Sequence, residues 1–266
     1  MSARARRVRQ QLGERDLELL HTLANLRLMT GQQIRRLLHP DGNRVTQARK
    51  VRALLVRLAE LGVVVRLARR VGGIYAGSEG HVIGLSGLGH AVLAVGTERA
   101  GQRHRGVSDT KLAFQEHVLQ VSELFVSLKE RELTGHAELL VFDGEPAAWR
   151  RFSGYGGGSR ILKPDAFLRL GIGDVELHAF AEMDLATESG PTLARKLSVY
   201  VDYWRSGAEQ AEHGIFPEVW WLVPDSRRAA VLSRLIGRLP ADARDLFVVA
   251  LIEQAADQLT TEGGNS

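Results

Sequence analysis

A chain of 266 residues with 44% hydrophobic and 25% charged residues is long enough for one large domain or two ordinary ones, each able to bury its own core. It has no cysteine, which excludes disulfides and thiolate zinc sites and fits the cytoplasm. No apolar run approaches the roughly 20 residues needed to cross a bilayer, so no membrane partner is expected.

The net charge of +4 is unevenly distributed: residues 1–105 carry 19 Lys and Arg against 7 Asp and Glu, and the remainder carries 16 against 24. A basic first part joined to an acidic second part argues that the first meets a polyanion, most simply double-stranded DNA. The chain opens with an arginine-rich stretch, Met1 to Gln10, that lacks a following apolar segment. It is therefore not a secretory signal, and residues 1–13 are expected to form a disordered basic arm.

Residues 14–96 read as a compact DNA-binding domain. Leu17, Leu20, His21 and Leu23 recur at helical spacing after Glu14, giving a first amphipathic helix. Thr30 with Gln33 three residues on forms a capping box, and Ile34, Leu37 and Leu38 give the second helix its apolar face. His39-Pro40-Asp41-Gly42-Asn43 breaks the chain. A third helix, about Val45 to Leu61, buries Val51, Leu54, Leu55, Leu58 and Leu61 while Thr46, Arg49, Arg52, Ala53 and Arg57 point away and Lys50 sits at the edge. The period then changes to that of a strand through Val63-Val64-Val65-Arg66-Leu67. Arg69-Arg70 and a Gly72-Gly73 turn follow, and a return strand starts at His81. Three helices and a basic hairpin are the order of a winged helix-turn-helix, whose third helix enters the major groove and whose wing touches backbone. Thr46, Arg49, Lys50 and Arg52 are the candidate contacts on the helix, and Arg66, Arg69 and Arg70 those on the wing.

Ser86 begins a short closing helix, and the polar, glycine-broken residues 97–107 read as a linker. Residues 108–258 form the second domain, with 259–266 a disordered tail. A long helix from Ser108 to about Arg131 is apolar on more than one side, as one packed on a sheet would be. Its Glu116 and His117 read as structural. Glu138 to Phe142 is a first strand. Gly154 to Ser159 lacks the following Lys-Ser/Thr and helix of a phosphate-binding loop and reads as an ordinary loop.

Two strand-like segments then each present an acid. Asp165 follows Pro164 ahead of Phe167, Leu168 and Leu170; Glu182 and Asp184 follow Val175, Leu177 and Phe180. If the segments pair as a hairpin, the carboxylates converge, and such a pair either binds a divalent metal or shifts a pKa upward. On the next helix Lys196 lies on or beside the stripe of Leu193, Val199, Tyr200 and Tyr203, where an ammonium needs an anionic partner. Glu218 to Val223 suits a central strand, a helix follows over 227–238, and Asp245 to Ile252 closes the sheet.

This segment resembles the core of the PD-(D/E)XK nuclease-like fold, with Pro164-Asp165 as its PD and Glu182-Met183-Asp184 where that fold has (D/E)XK. It departs from the pattern in carrying Asp184 where the terminal lysine stands, and Lys196 on the following helix is the substitute seen in some branches. With the amino-terminal region, the chain over residues 14–250 is similar to replication-relaxation proteins of bacterial plasmids and integrative elements, through the Pro-Asp, Glu-x-Asp-x-Ala-Thr and Lys-x3-Tyr pieces. The resemblance implies an α/β fold class: an N-terminal winged helix-turn-helix and a C-terminal restriction-endonuclease-like domain with a central mixed sheet.

Two functions follow. In one, the protein cleaves or nicks DNA: Asp165 and Glu182 hold Mg²⁺ or Mn²⁺, and Asp184 and Lys196 complete the catalytic set. In the other, a degenerate nuclease fold serves dimerisation or docking, and the chain is a sequence-specific DNA-binding factor without a cofactor. A second copy of the chain and replication or transfer proteins are further candidate partners.

Overall fold

The computed structural model describes residues 3–67, 81–97, 112–154 and 157–261. By compactness the chain divides into residues 1–126 and 127–266, and each unit has its own sheet. Among the described residues no helix is long and apolar enough to cross a membrane.

In the first unit α2 (Glu14–Leu26), β1 (Leu28–Thr30), α3 (Gly31–Leu38), α4 (Arg44–Glu60), β2 (Val64–Leu67) and β3 (Val82–Leu85) follow one another. Leu19, Leu20, Leu23, Ile34, Leu55, Leu58 and Ile83 are buried, as their helical and alternating spacing requires. The capping box forms as read: Thr30 Oγ1 accepts from the Gln33 amide at 3.1 Å, and Gln33 Oε1 accepts from the Thr30 amide at 2.8 Å. Asn43 caps α4 by accepting from the amides of Val45 and Thr46. The sheet order is β1-β3-β2, with both pairings antiparallel. Three-residue β1 was invisible to a periodicity argument, because it is shorter than two turns of the alternation that would reveal it.

Residues 3–9, expected to belong to a disordered arm, instead form α1 (Ala3–Arg9), with Ala5 and Val8 buried. These two lie three positions apart on one helical face, packed against α5 (Gly87–Leu93). Ser86 caps α5. At Gly89 a Cβ would collide with the Val63 carbonyl oxygen, so only glycine permits this approach of helix to strand. Of the expected linker, Thr97 is described and residues 98–107 lie outside the described residues.

The division into units also departs from the expected boundary, because it falls within α6 (Leu112–Leu133). The first half of that helix is tied into the first unit. Ser122 Oγ donates to the Leu28 carbonyl at 2.5 Å, Gln33 Nε2 donates to the Leu119 carbonyl and to Glu123, and Arg36 pairs with Glu123.

The second unit is mixed α/β, built on a five-stranded sheet of order β10-β9-β8-β7-β4. β4 (Glu138–Gly144), β7 (Ala166–Ile172) and β8 (Val175–Met183) are antiparallel neighbours, whereas β9 (Glu218–Val223) and β10 (Phe247–Leu251) run parallel to β8. α7 (Gly190–Ser206) and α9 (Ser226–Ile236) close one face: Leu193, Leu197, Tyr200, Leu232 and Ile236 join Phe180, Val219, Trp221 and Val223 in one core. Ala179, Ala181, Met183, Trp220 and Leu222 are equally buried, which accounts for the nearly unbroken apolar run of β9. Two strands missed in the sequence, β5 (Arg150–Ser153) and β6 (Ser159–Leu162), form a hairpin across the Gly154 turn and rest on α7, with Phe152 5.0 Å from Tyr203. A short helix, α8 (Ala208–His213), follows α7. It brings buried Glu209 to Tyr203 and to Arg150, whose guanidinium lies over the rings of Phe167 and Phe180.

The expected disordered tail begins too early. α10 (Ala255–Thr261) buries Leu259 and Thr260, and residues 262–266 lie outside the described residues.

Candidate functional site

The antiparallel register of β7 and β8 pairs Ala166 with Ala181, which puts Asp165 directly across from Glu182. The Asp165 amide donates to the Ala181 carbonyl at 3.1 Å, and Asp165 Oδ2 accepts from the Met183 amide at 2.8 Å. Both acids are buried. Strand alternation turns Glu182 to the same face as Phe180, under α7. There Lys196 Nζ lies 3.3 Å from Glu182 Oε2, and the Tyr200 hydroxyl donates to Glu182 Oε1 at 2.5 Å. Lys196 and Tyr200 are four residues apart on one helix, so one rigid element grips both carboxylate oxygens. The Lys196 ammonium also pairs with Glu188 at 3.3 Å and lies 5.9 Å from the centre of the Trp221 ring.

The electrostatics follow from burial. The Glu182 carboxyl is pushed up to about 7 by loss of water and by the Asp165 charge, with Lys196 and Tyr200 pulling against them. Burial works against the Lys196 ammonium, but Glu182, Asp165 and Glu188 outweigh it and raise its pKa. Burial, followed by Glu182, pushes the Tyr200 hydroxyl well above its ordinary value. The site therefore holds more acid than its one lysine neutralises, and the proton on Glu182 is weakly held near neutrality.

Asp184, expected in the same set, is engaged elsewhere. Arg228 at the start of α9 grips it with two nitrogens, Nε to Oδ2 at 2.6 Å and Nη2 to Oδ1 at 2.9 Å. Its Oδ1 also accepts from the Ala186 amide at 2.9 Å, across a turn in which Ala186 has φ +60°, a left-handed conformation uncommon without glycine. Arg228 further donates to the Glu188 carbonyl at 2.9 Å. Together these bonds fold residues 184–188 so that the Glu188 side chain meets Lys196.

Tyr200, Glu188 and Arg228 are thus the site residues that the sequence reading did not include. Tyr200 was detectable as the residue four beyond Lys196, whereas Arg228 stands 44 residues from its partner with no local pattern to join them. Among the described residues no group of three or more His, Asp or Glu side chains is placed to hold a metal ion. Asp165 and Glu182 remain a two-carboxylate set, the number with which Mg²⁺ is usually held when substrate phosphates supply further oxygens.

The nucleic-acid candidates lie in the first unit. Thr46, Arg49, Lys50 and Arg52 are exposed on α4, and Arg66 is exposed on β2. Arg69 and Arg70 lie outside the described residues. Arg57, in contrast, pairs with buried Asp16 at 2.5 Å, where it ties α4 to α2. His39, in the turn before α4, is pushed below its ordinary value by burial and by the charges of Lys50 and Arg15, a local sign of cationic surroundings.

These two sites sit in a recognisable kind of chain. The model of the replication-relaxation family matches residues 20–219, a span that includes α4, both carboxylates, Lys196 and Tyr200, and the chain belongs to that family. Membership points to a part in the replication or relaxation of plasmids or other mobile elements. No curated protein and no solved structure matches the chain.

Proposed function

We propose that the protein binds duplex DNA through its first unit during plasmid or mobile-element replication or relaxation, and that Asp165, Glu182 and Lys196 act on a phosphodiester in the second. The basic outer face of α4 carries the first half of this reading. The order α2-β1-α3-α4-β2-β3 with a β1-β3-β2 sheet supports a winged helix-turn-helix, whose third helix enters the major groove. For the second half, the antiparallel β4-β7-β8 set continued by parallel β9 and β10 supports the nuclease-like fold. A divalent cation on Asp165 and Glu182 would activate water and stabilise charge at the phosphorus. Asp165 and Glu182 would supply its ligands, and Lys196, which also pairs with Glu188, would orient the phosphate.

A second reading has its own support. Both oxygens of Glu182 accept hydrogen bonds from α7 and Asp184 is neutralised by Arg228, an arrangement that also suits a nuclease fold used only for docking a second copy or a replication protein.

Supercoiled plasmid incubated with the protein and Mg²⁺ or Mn²⁺, beside EDTA and Asp165→Asn controls, tests the proposal. The asparagine keeps an oxygen for the Met183 amide while removing the charge. Cation-dependent nicking lost in Asp165→Asn is the expected result, with a rise in thermal midpoint on adding Mn²⁺ that the variant lacks. Intact plasmid and an unmoved midpoint would replace the nuclease with the docking reading.

A further inference from the structure

The outward face of α4 is not uniformly basic. Val45, Arg49, Arg52 and Val56 follow one another at intervals of four, three and four, one stripe of the helix, and all four are exposed. Val45 is 69% exposed and Val56 38%, two of the few large apolar side chains left in water. The opposite side of the same helix buries Gln47, Val51, Leu55 and Leu58, so the packing of the unit neither uses nor requires the two valines. Arginines alone would suit any polyanion. Valines interleaved with them on one line suit a surface that presents hydrogen-bond acceptors and methyl groups side by side, which is the floor of the B-DNA major groove: guanine offers N7 and O6, and thymine offers its 5-methyl.

Resting on the DNA-binding reading above, we propose that Val45 is a specificity-determining residue that packs on the 5-methyl group of a thymine close to a guanine read by Arg49 or Arg52. Asn43 fixes its place by capping α4 through the amides of Val45 and Thr46, which leaves Val45 in the first turn, the part of a recognition helix that meets base edges. From Val45 to Arg49 the helix advances about 6 Å at about 1.5 Å per residue, close to two base-pair steps of about 3.4 Å. The thymine therefore lies about two base pairs from a guanine read by Arg49, or about three from one read by Arg52. The exposed charge complements DNA: among the described residues, no ion pair engages Arg49 or Arg52.

The test uses the full chain and a randomised duplex pool, from which bound sequences are enriched. Each thymine of the enriched site is then replaced in turn by deoxyuridine, which removes the methyl group and leaves every hydrogen bond. For the wild type, one replacement is expected to weaken binding about fourfold, the effect of withdrawing one methyl from contact, and the others not at all. Val45→Ala, at an exposed position that leaves the core untouched, should bind the thymine site more weakly and be indifferent to that replacement. If the enriched site contains no methyl-sensitive thymine, or if the sensitivity survives in Val45→Ala, the inference fails while DNA binding stands. A pool from which nothing enriches ends the DNA-binding reading and the inference with it.

Discussion

The outer face of α4 and the acid site beneath α7 are both built from charged side chains on a helix, yet they are opposite kinds of surface. On the outer face of α4, Arg49 and Arg52 stand in water and are open to a partner. Under α7 the charged groups are held by specific bonds: Glu182 by Lys196 and Tyr200, Lys196 also by Glu188, Asp184 by Arg228 and Asp165 by the Met183 amide. An exposed arginine costs the fold little and can be replaced without consequence for stability. A buried carboxylate is tolerated only while its partners remain, since its desolvation is large and is offset by specific bonds. The first surface is therefore free to change its ligand, and the second can change only as a set.

Breaking the Asp184 to Arg228 pair should give the largest effect. Asp184 is 4% exposed, so Arg228→Ala leaves a buried carboxylate with the Ala186 amide as its remaining donor, and a loss of about 3 to 5 kcal/mol is expected for removing one member of a buried pair. Asp184→Asn combined with Arg228→Ala should recover a large part of that loss. Urea denaturation of the single and double variants measures both. A single-variant loss below about 1 kcal/mol, the range of surface pairs, would show that the second unit tolerates isolated charges as the first does.

Next in size is the pH dependence that the raised Glu182 carboxyl imposes. Its value of about 7 in the folded state lies above the ordinary 4.5, so the unfolded chain gives up this proton first as pH rises. The group's contribution to stability is full below about 4.5 and is lost as pH passes through about 7, by an amount on the order of 3 kcal/mol. Glu182→Gln holds a neutral amide at every pH. Relative to the wild type it should therefore gain stability between about pH 5 and about pH 8. A difference between the two proteins that stays constant over this range would mean that Lys196 keeps Glu182 ionised throughout.

The same contrast explains what the sequence disclosed. The outer face of α4 is legible because burial follows a 3.6-residue period, and whatever the stripe of Val51, Leu55 and Leu58 leaves over must face water. Thr30 and Gln33 are legible because a capping box is local. Asp165 and Glu182 could be brought together because a short hairpin nearly fixes its own register. Arg228, Glu188 and the tie of Gln33 to the first half of α6 were not legible. Each depends on a contact across the fold, and a surface arginine and one that grips a buried aspartate have the same local signature. The helix at residues 3–9 is hidden for a related reason: four arginines outweigh Ala5 and Val8, whose burial is decided by α5, more than seventy residues further on.

The smallest effects belong to the exposed arginines, which on the proposed DNA-binding function divide into positions that choose a sequence and positions that only hold on. Arg49→Ala or Arg52→Ala should cost about 1 to 3 kcal/mol at the preferred site and relax selectivity at one base pair, because a guanine in the major groove is left without its hydrogen-bond donor. Arg66 stands on β2 opposite Ile83, outside the helical stripe, and on the proposed function it would hold phosphate. Its alanine variant should weaken all duplexes about equally and lower by about 1 the slope of log affinity against log salt. None of the three should move the urea midpoint, since no buried partner is left unpaired. Binding titrations over a salt series, on the enriched site and on a scrambled duplex, separate the two roles. Loss of selectivity in Arg66→Ala together with uniform weakening in both helix variants would place base readout on the hairpin and reduce α4 to a phosphate anchor.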